Sequence, residues 1–79
     1  MSRNIKTAQY LFESISSDVV RYLVEHDGMS LTEAITTFHN SETFAALEDF
    51  ETELYIESPG YIYDMLQSEL RYGHLTQER

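Results

Sequence analysis

Apolar residues return at steps of three and four from Ile5 to His26: Ile5, Ala8, Phe12, Ile15, Val19 and Tyr22, with Leu11 and Leu23 beside the row. That spacing predicts one long amphipathic helix over 5–27, because 3.6 residues per turn bring these positions to one face. Asn4 can cap its start, and Asp27-Gly28 supplies a stop, since glycine tolerates the left-handed geometry that ends helices. Ser14, Ser16 and Ser17 weaken the middle, so a break near Ser17-Asp18 is the alternative. Val20 and Val24 lie one turn apart on the flank of the stripe and widen its apolar surface. They are candidates for a subunit or partner seam, or for contact with a second helix of the same bundle.

The stretch MSLTEAITTFHNSETFAALEDF, residues 29–50, reads as helix, tight turn, helix. Ser30-Leu31-Thr32-Glu33 is a capping box, and Leu31, Ala34, Ile35 and Phe38 follow at i, i+3, i+4, i+7, which predicts a helix over 31–39. Asn40-Ser41 carries cap chemistry, and Glu42 places negative charge near the positive end of a third helix over 41–53. Phe44, Leu47, Phe50 and Leu54 form its apolar row, Ala45 and Ala46 allow close approach, and Glu42, Glu48 and Asp49 point outward. Leu31, Ile35, Phe38, Phe44 and Leu47 are expected to hold the bundle together. ETELYIE, residues 51–57, is expected to add one turn to about Leu54 and then become a loop.

Ser58-Pro59 opens a last helix over 59–72, because proline at the first position lacks only an N–H that would be unpaired there. Ile62, Met65, Leu66 and Leu70 make its apolar row, extended by Tyr63 and Tyr72; Gly73 ends it, and Leu75 can fold back over the end. The expected architecture is all-α: a small bundle of four helices in a single domain over 1–79, with frayed ends at 1–3 and 76–79.

Composition narrows the function more than the fold. The 79 residues carry a net charge of −9, and the only cations are Arg3, Lys6, Arg21, Arg71 and Arg79, so none lies between Tyr22 and Leu70. Such a surface repels a phosphate backbone or an anionic membrane, and neither nucleic acid nor membrane is an expected partner. The helix, turn, helix pattern is therefore not expected to read DNA, since Glu42, Glu48 and Asp49 would face phosphates. The chain has no cysteine, which fits a reducing cytoplasm and removes disulfides and thiolate metal sites.

No motif identifies a catalytic activity or a cofactor. Asp49, Glu51 and Glu53 are spaced like the first ligands of a calcium loop, but Leu54 and Gly60 stand where that loop needs glycine and glutamate. His26, His39 and His74 lack the i, i+4 spacing of a helical metal site. His26 on the first helix and Glu69 on the last can form a pair, each half-buried near a helix end. No metal, cofactor or catalytic residue is expected. The partner-binding candidates are Val20, Val24, Glu42, Glu48, Asp49 and Tyr55.

Leu31-Thr32-Glu33-Ala34, Phe38, Leu47, Leu54-Tyr55, Ser58 and Tyr61-Ile62-Tyr63-Asp64 give the stretch from Val20 to Tyr72 a family likeness. It resembles a small uncharacterised bacterial all-helical family, whose members are similar to accessory genes found beside toxin-like genes, including ADP-ribosyltransferase-like ones. The resemblance implies a non-catalytic, antitoxin-like or regulatory role and brings no catalytic residues. The longer first helix here, with Val20 and Val24, departs from the family pattern. The expected function is a cytoplasmic protein–protein interaction module that presents an acidic surface to a basic protein partner. The alternative is a self-associating structural domain, a homodimer with no separate partner.

Overall fold

The structure, a computed structural model, describes residues 5–73. Four α-helices follow in order: α1 (Ile5–Asp27), α2 (Leu31–His39), α3 (Glu42–Glu48) and α4 (Pro59–Tyr72), with two 3-10 turns, Phe50–Thr52 and Leu54–Ile56, between the last two. Among the described residues there is no strand, and the fold is all-α. Asn4, Leu75, His74 and the two expected frayed ends lie outside the described residues.

α1 runs unbroken through its serines. Each serine costs about 0.5 kcal/mol of helix propensity, whereas each buried aliphatic side chain contributes about 1.5–3 kcal/mol. Ile15, Val19 and Leu23 are all buried, so packing wins. The buried seam is Ala8, Ile15, Val19 and Leu23, with Leu11 and Phe12 against it. It is rotated slightly from the row the spacing suggests: Ile5 is exposed, Tyr22 is half-buried, and Leu23 is fully buried.

At the end of α1, Gly28 adopts φ +73° and the Met29 amide reaches back to the Leu23 carbonyl at 3.2 Å, reversing the chain within three residues. Ser30 then caps α2 by accepting from the Glu33 amide at 3.1 Å. Ala34 and Phe38 face the core, but Leu31 is 62% exposed and Ile35 40%. The expectation that both hold the bundle together is corrected. Residues 31, 34, 35 and 38 cover a broad helical face, and only its Ala34–Phe38 half enters the core.

α3 is shorter than expected, ending at Glu48 rather than near residue 53. Local side chains compete with the helical backbone there. Asp49 leaves helical geometry (φ −82°, ψ 98°) and its carboxylate accepts from the Glu51 amide at 3.1 Å. The Thr52 hydroxyl lies 2.9 Å from both the Ala46 and the Asp49 carbonyls, engaging oxygens that a continuing helix would have bonded. The chain then folds inward: Tyr55 is buried, its ring 5.4 Å from Phe50, and Phe12 lies 5.6 Å from Phe44 and 6.0 Å from Phe50.

Between the two turns Glu53 sits in the left-handed region, φ 58°, the one described non-glycine residue with positive φ. Such a conformation costs an L-residue about 1–2 kcal/mol relative to glycine. Glu53→Val, with a β-branched side chain, is expected to lower stability by about 1 kcal/mol or more, while Glu53→Gly leaves it unchanged or raises it by up to about 1 kcal/mol. Urea denaturation midpoints of the two variants check this. Equal losses in both would mean that the Glu53 side chain, not its backbone angle, matters.

The start of α3 is closed completely. Its four N-terminal amides would otherwise lack partners. The Ser41 amide donates to the Phe38 carbonyl (3.0 Å), the Phe44 amide to Ser41 Oγ (3.0 Å), and the Glu42 and Thr43 amides to the carboxylate of Glu69 on α4 (2.8 and 2.9 Å). The buried Thr43 hydroxyl adds a third bond to Glu69 at 2.8 Å. Glu69 thus clamps α4 to the positive end of α3. A His26–Glu69 pair does not form: both Glu69 oxygens face α3, and His26 is exposed beside the rings of Tyr22 and Tyr63.

α4 begins as its sequence suggests, with Ser58 accepting from the Tyr61 amide at 3.2 Å and Pro59 in the first position. Ile62 and Leu66 are buried, Met65 is half-buried and Leu70 is exposed. Gly73 ends the helix at φ +86°, its amide 2.7 Å from the Glu69 carbonyl.

Candidate protein-docking groove

Because only residues 28–30 join them, α2 runs back along α1, and the two helices leave a trough on their outer side. Val20 and Val24 form one wall and Leu31 and Ile35 the other; Ser16, Ser17 and His39 close one end, and Arg21 and Glu25 stand on the rim. The trough encloses about 520 Å³. Both walls are i, i+4 ridges of regular helices, so the surface is firm and straight. Val20 and Val24 also touch the core beneath, which fixes their positions.

Arg21 is the one cation lining the groove, and it is already engaged. Its guanidinium lies 3.0 Å from Asp18 and 3.6 Å from Glu25, and stacks 5.1 Å above the Tyr22 ring. The hydrogen bond to Asp18 raises its pKa further, so the charge stays fixed and locally compensated. Glu25 on the rim and Asp18 just outside the lining thus offset the Arg21 charge. At the far end His39 stacks on Phe44, ring centroids 4.5 Å apart. Under the wall the Ser16 hydroxyl is buried without a hydrogen-bond partner.

Of the residues singled out from the sequence, Val20 and Val24 come together here with Leu31 and Ile35. Glu42, Glu48 and Asp49 are exposed on α3 and its C-terminal boundary, away from the groove lining, and the Asp49 carboxylate is occupied by the Glu51 amide. Tyr55 is corrected from a surface candidate to a core residue, 6% exposed, because the second 3-10 turn folds it inward. Leu31, Ile35, Ser16, Ser17, Arg21, Glu25 and His39 are groove residues that pattern reading missed. A signal for two of them was present: four apolar residues in the nine of α2 are more than one neighbouring helix covers.

At the C-terminal end of α1 a polar latch ties the helix to α4. Asp27 accepts from the Tyr63 hydroxyl at 2.5 Å and from Gln67 Nε2 at 2.7 Å, and Tyr63 packs edge-on against Tyr22 at 5.4 Å. Burial and the hydrogen bond to Asp27 push the Tyr63 phenol up to about 12. The fold therefore favours the protonated phenol over its ordinary pKa near 10. This contribution is fully present below about pH 10 and is lost as pH rises through about 12. Tyr63→Phe is expected to flatten the fall in urea midpoint between those values relative to the unsubstituted protein; parallel curves would show that the latch carries no pH-dependent stability.

Among the described residues no group of three or more histidine or acidic side chains is placed to hold a metal ion, and no helix is long and apolar enough to cross a membrane. Comparison of the chain with protein-family models, curated proteins and solved structures finds no match. The resemblance to the bacterial helical family thus rests on the residues that carry it. Ala34, Phe38, Leu47, Tyr55 and Ile62 among them are buried, and Ser58 is a cap, whereas Leu31, Thr32, Glu33, Tyr61 and Asp64 are exposed.

Proposed function

We propose that the protein is a non-catalytic interaction module of the bacterial cytoplasm, antitoxin-like or regulatory, that docks a separate protein in the α1/α2 groove. The observation that carries this reading is the gathering of Val20, Val24, Leu31 and Ile35 in one open trough, with Leu31 and Ile35 left substantially exposed. Scattered apolar residues on a surface are ordinary, and a contiguous concave set supports a contact site. The net charge of −9, with no cation between Tyr22 and Leu70, supports a basic partner through steering and complementarity. The same trough closed by a second copy is the alternative, and it sets two chains of −9 against each other.

Affinity capture from the native host at moderate salt, with light scattering on the dilute purified protein, tests the reading. A monomer that retains a heterologous protein, with retention weakened by charge reversal at Glu42, Glu48 and Asp49, is the expected result. A stable dimer that retains nothing at any salt concentration overturns it in favour of self-association.

A further inference from the structure

The chemistry of the groove narrows its occupant, and the narrowing rests on the docking reading just given. Both walls are α-helices whose backbone groups are engaged within the helices, so an extended segment finds no sheet edge and no main-chain hydrogen bonds here. Recognition has to run through side chains. From Ser16 to Glu25 the α1 wall spans nine residue steps, about 14 Å at 1.5 Å per residue, which matches between two and three turns of a helix laid alongside. A helix of that length presents an apolar row at i, i+3 or i+4, and i+7, three anchors for a trough walled by two pairs of aliphatic side chains.

Charge decides the flanks of that helix. Glu25 stands on the rim, Arg21 is held by Asp18 and Glu25 together, and α2 contributes no lysine or arginine. The groove therefore offers no uncompensated cation, and with Asp18 beside the lining the Asp18–Arg21–Glu25 cluster is negative on a chain of net charge −9. A second copy of the chain brings another −9 and an Arg21 compensated in the same way, so it is the less suitable occupant. We infer that the α1/α2 groove receives an amphipathic helix of another protein, with an apolar row in the trough and Lys or Arg on its flanks against the acidic rim.

A displayed library of helix-forming segments of about 15 residues, long enough to hold helical structure, is selected on the folded full chain. Binders are then scored against a Leu31→Glu/Ile35→Glu variant whose melting midpoint and circular dichroism show it folded. The expected binders carry the three-anchor spacing, are enriched in Lys and Arg, and lose about 100-fold or more in affinity on the variant. Raising salt from 50 to 300 mM weakens them by about tenfold.

Groove-dependent binders with no basic enrichment, or with an extended rather than helical pattern, overturn this inference and leave the docking reading standing. Binders indifferent to the variant, or no binders at all, overturn both. Methyl shift mapping on Val20, Val24, Leu31 and Ile35 with a selected peptide locates its seat independently of the substitutions.

Discussion

Glu69→Ala is expected to lower the unfolding free energy by about 3 kcal/mol or more, because its carboxylate receives three hydrogen bonds at a helix start and bonds to charged groups contribute about 1.5–3 kcal/mol each. Removal leaves the Glu42 amide, the Thr43 amide and the buried Thr43 hydroxyl without their acceptor, and it removes the polar tie between α4 and α3. A domain of this size has a total stability of about 4–12 kcal/mol. The loss should therefore shift the thermal midpoint by about 12 °C or more. Glu69→Gln should fall between, since it keeps one acceptor but turns an amide donor toward backbone N–H groups. Ser41→Ala removes a local cap and should cost about 1 kcal/mol. Urea denaturation at neutral pH ranks the three. If Glu69→Ala costs no more than Ser41→Ala, the cross-helix clamp is not a principal support of the fold.

Leu31→Glu combined with Ile35→Glu is expected to separate binding from folding. Leu31 is 62% exposed and Ile35 40%, and an acid at the first position of α2 faces the positive end of its helix, so stability should fall by less than about 2 kcal/mol. Partner affinity should fall by about 100-fold or more, because two carboxylates would then be desolvated in an apolar contact. Charge reversal at Glu42, Glu48 and Asp49 should act differently, with a smaller effect that fades as salt rises. Titration calorimetry with the captured partner reads the difference. A double variant that folds and binds undiminished would remove the groove from the contact.

These two predictions draw on features of different visibility in the sequence. Caps and stops were legible where backbone chemistry is local: Ser30 with Glu33, Ser58 before Pro59, and Gly73 each act within a turn of their own position. The end of α3 was not, because continuing apolar spacing through Phe50 and Leu54 competes with Asp49 and Thr52 bonding to the backbone. Spacing cannot weigh the two. Glu69 lies 27 residues from Glu42, and nothing along α4 announces that its carboxylate completes another helix.

The groove was half legible. Val20 and Val24 stood out as surplus to a single seam. Leu31 and Ile35 were assigned inward because periodicity identifies an apolar face without saying how much of it a neighbour covers. Tyr55 shows the converse: an aromatic in a polar, acidic stretch reads as surface, whereas the inward fold of the chain places it in the core.

The most direct test of the docking groove is site-specific photo-crosslinking in native cells, with a photoreactive residue introduced at position 35 of the full chain and, in parallel, at positions 10 and 57. Tyr10 and Glu57 are exposed and lie outside the groove lining. Position 35 should yield one discrete adduct with a protein other than the chain itself, joined within a basic helical segment, while the two controls yield none. No adduct from position 35, a self-adduct alone, or the same adducts from all three positions would contradict a partner-docking groove between α1 and α2.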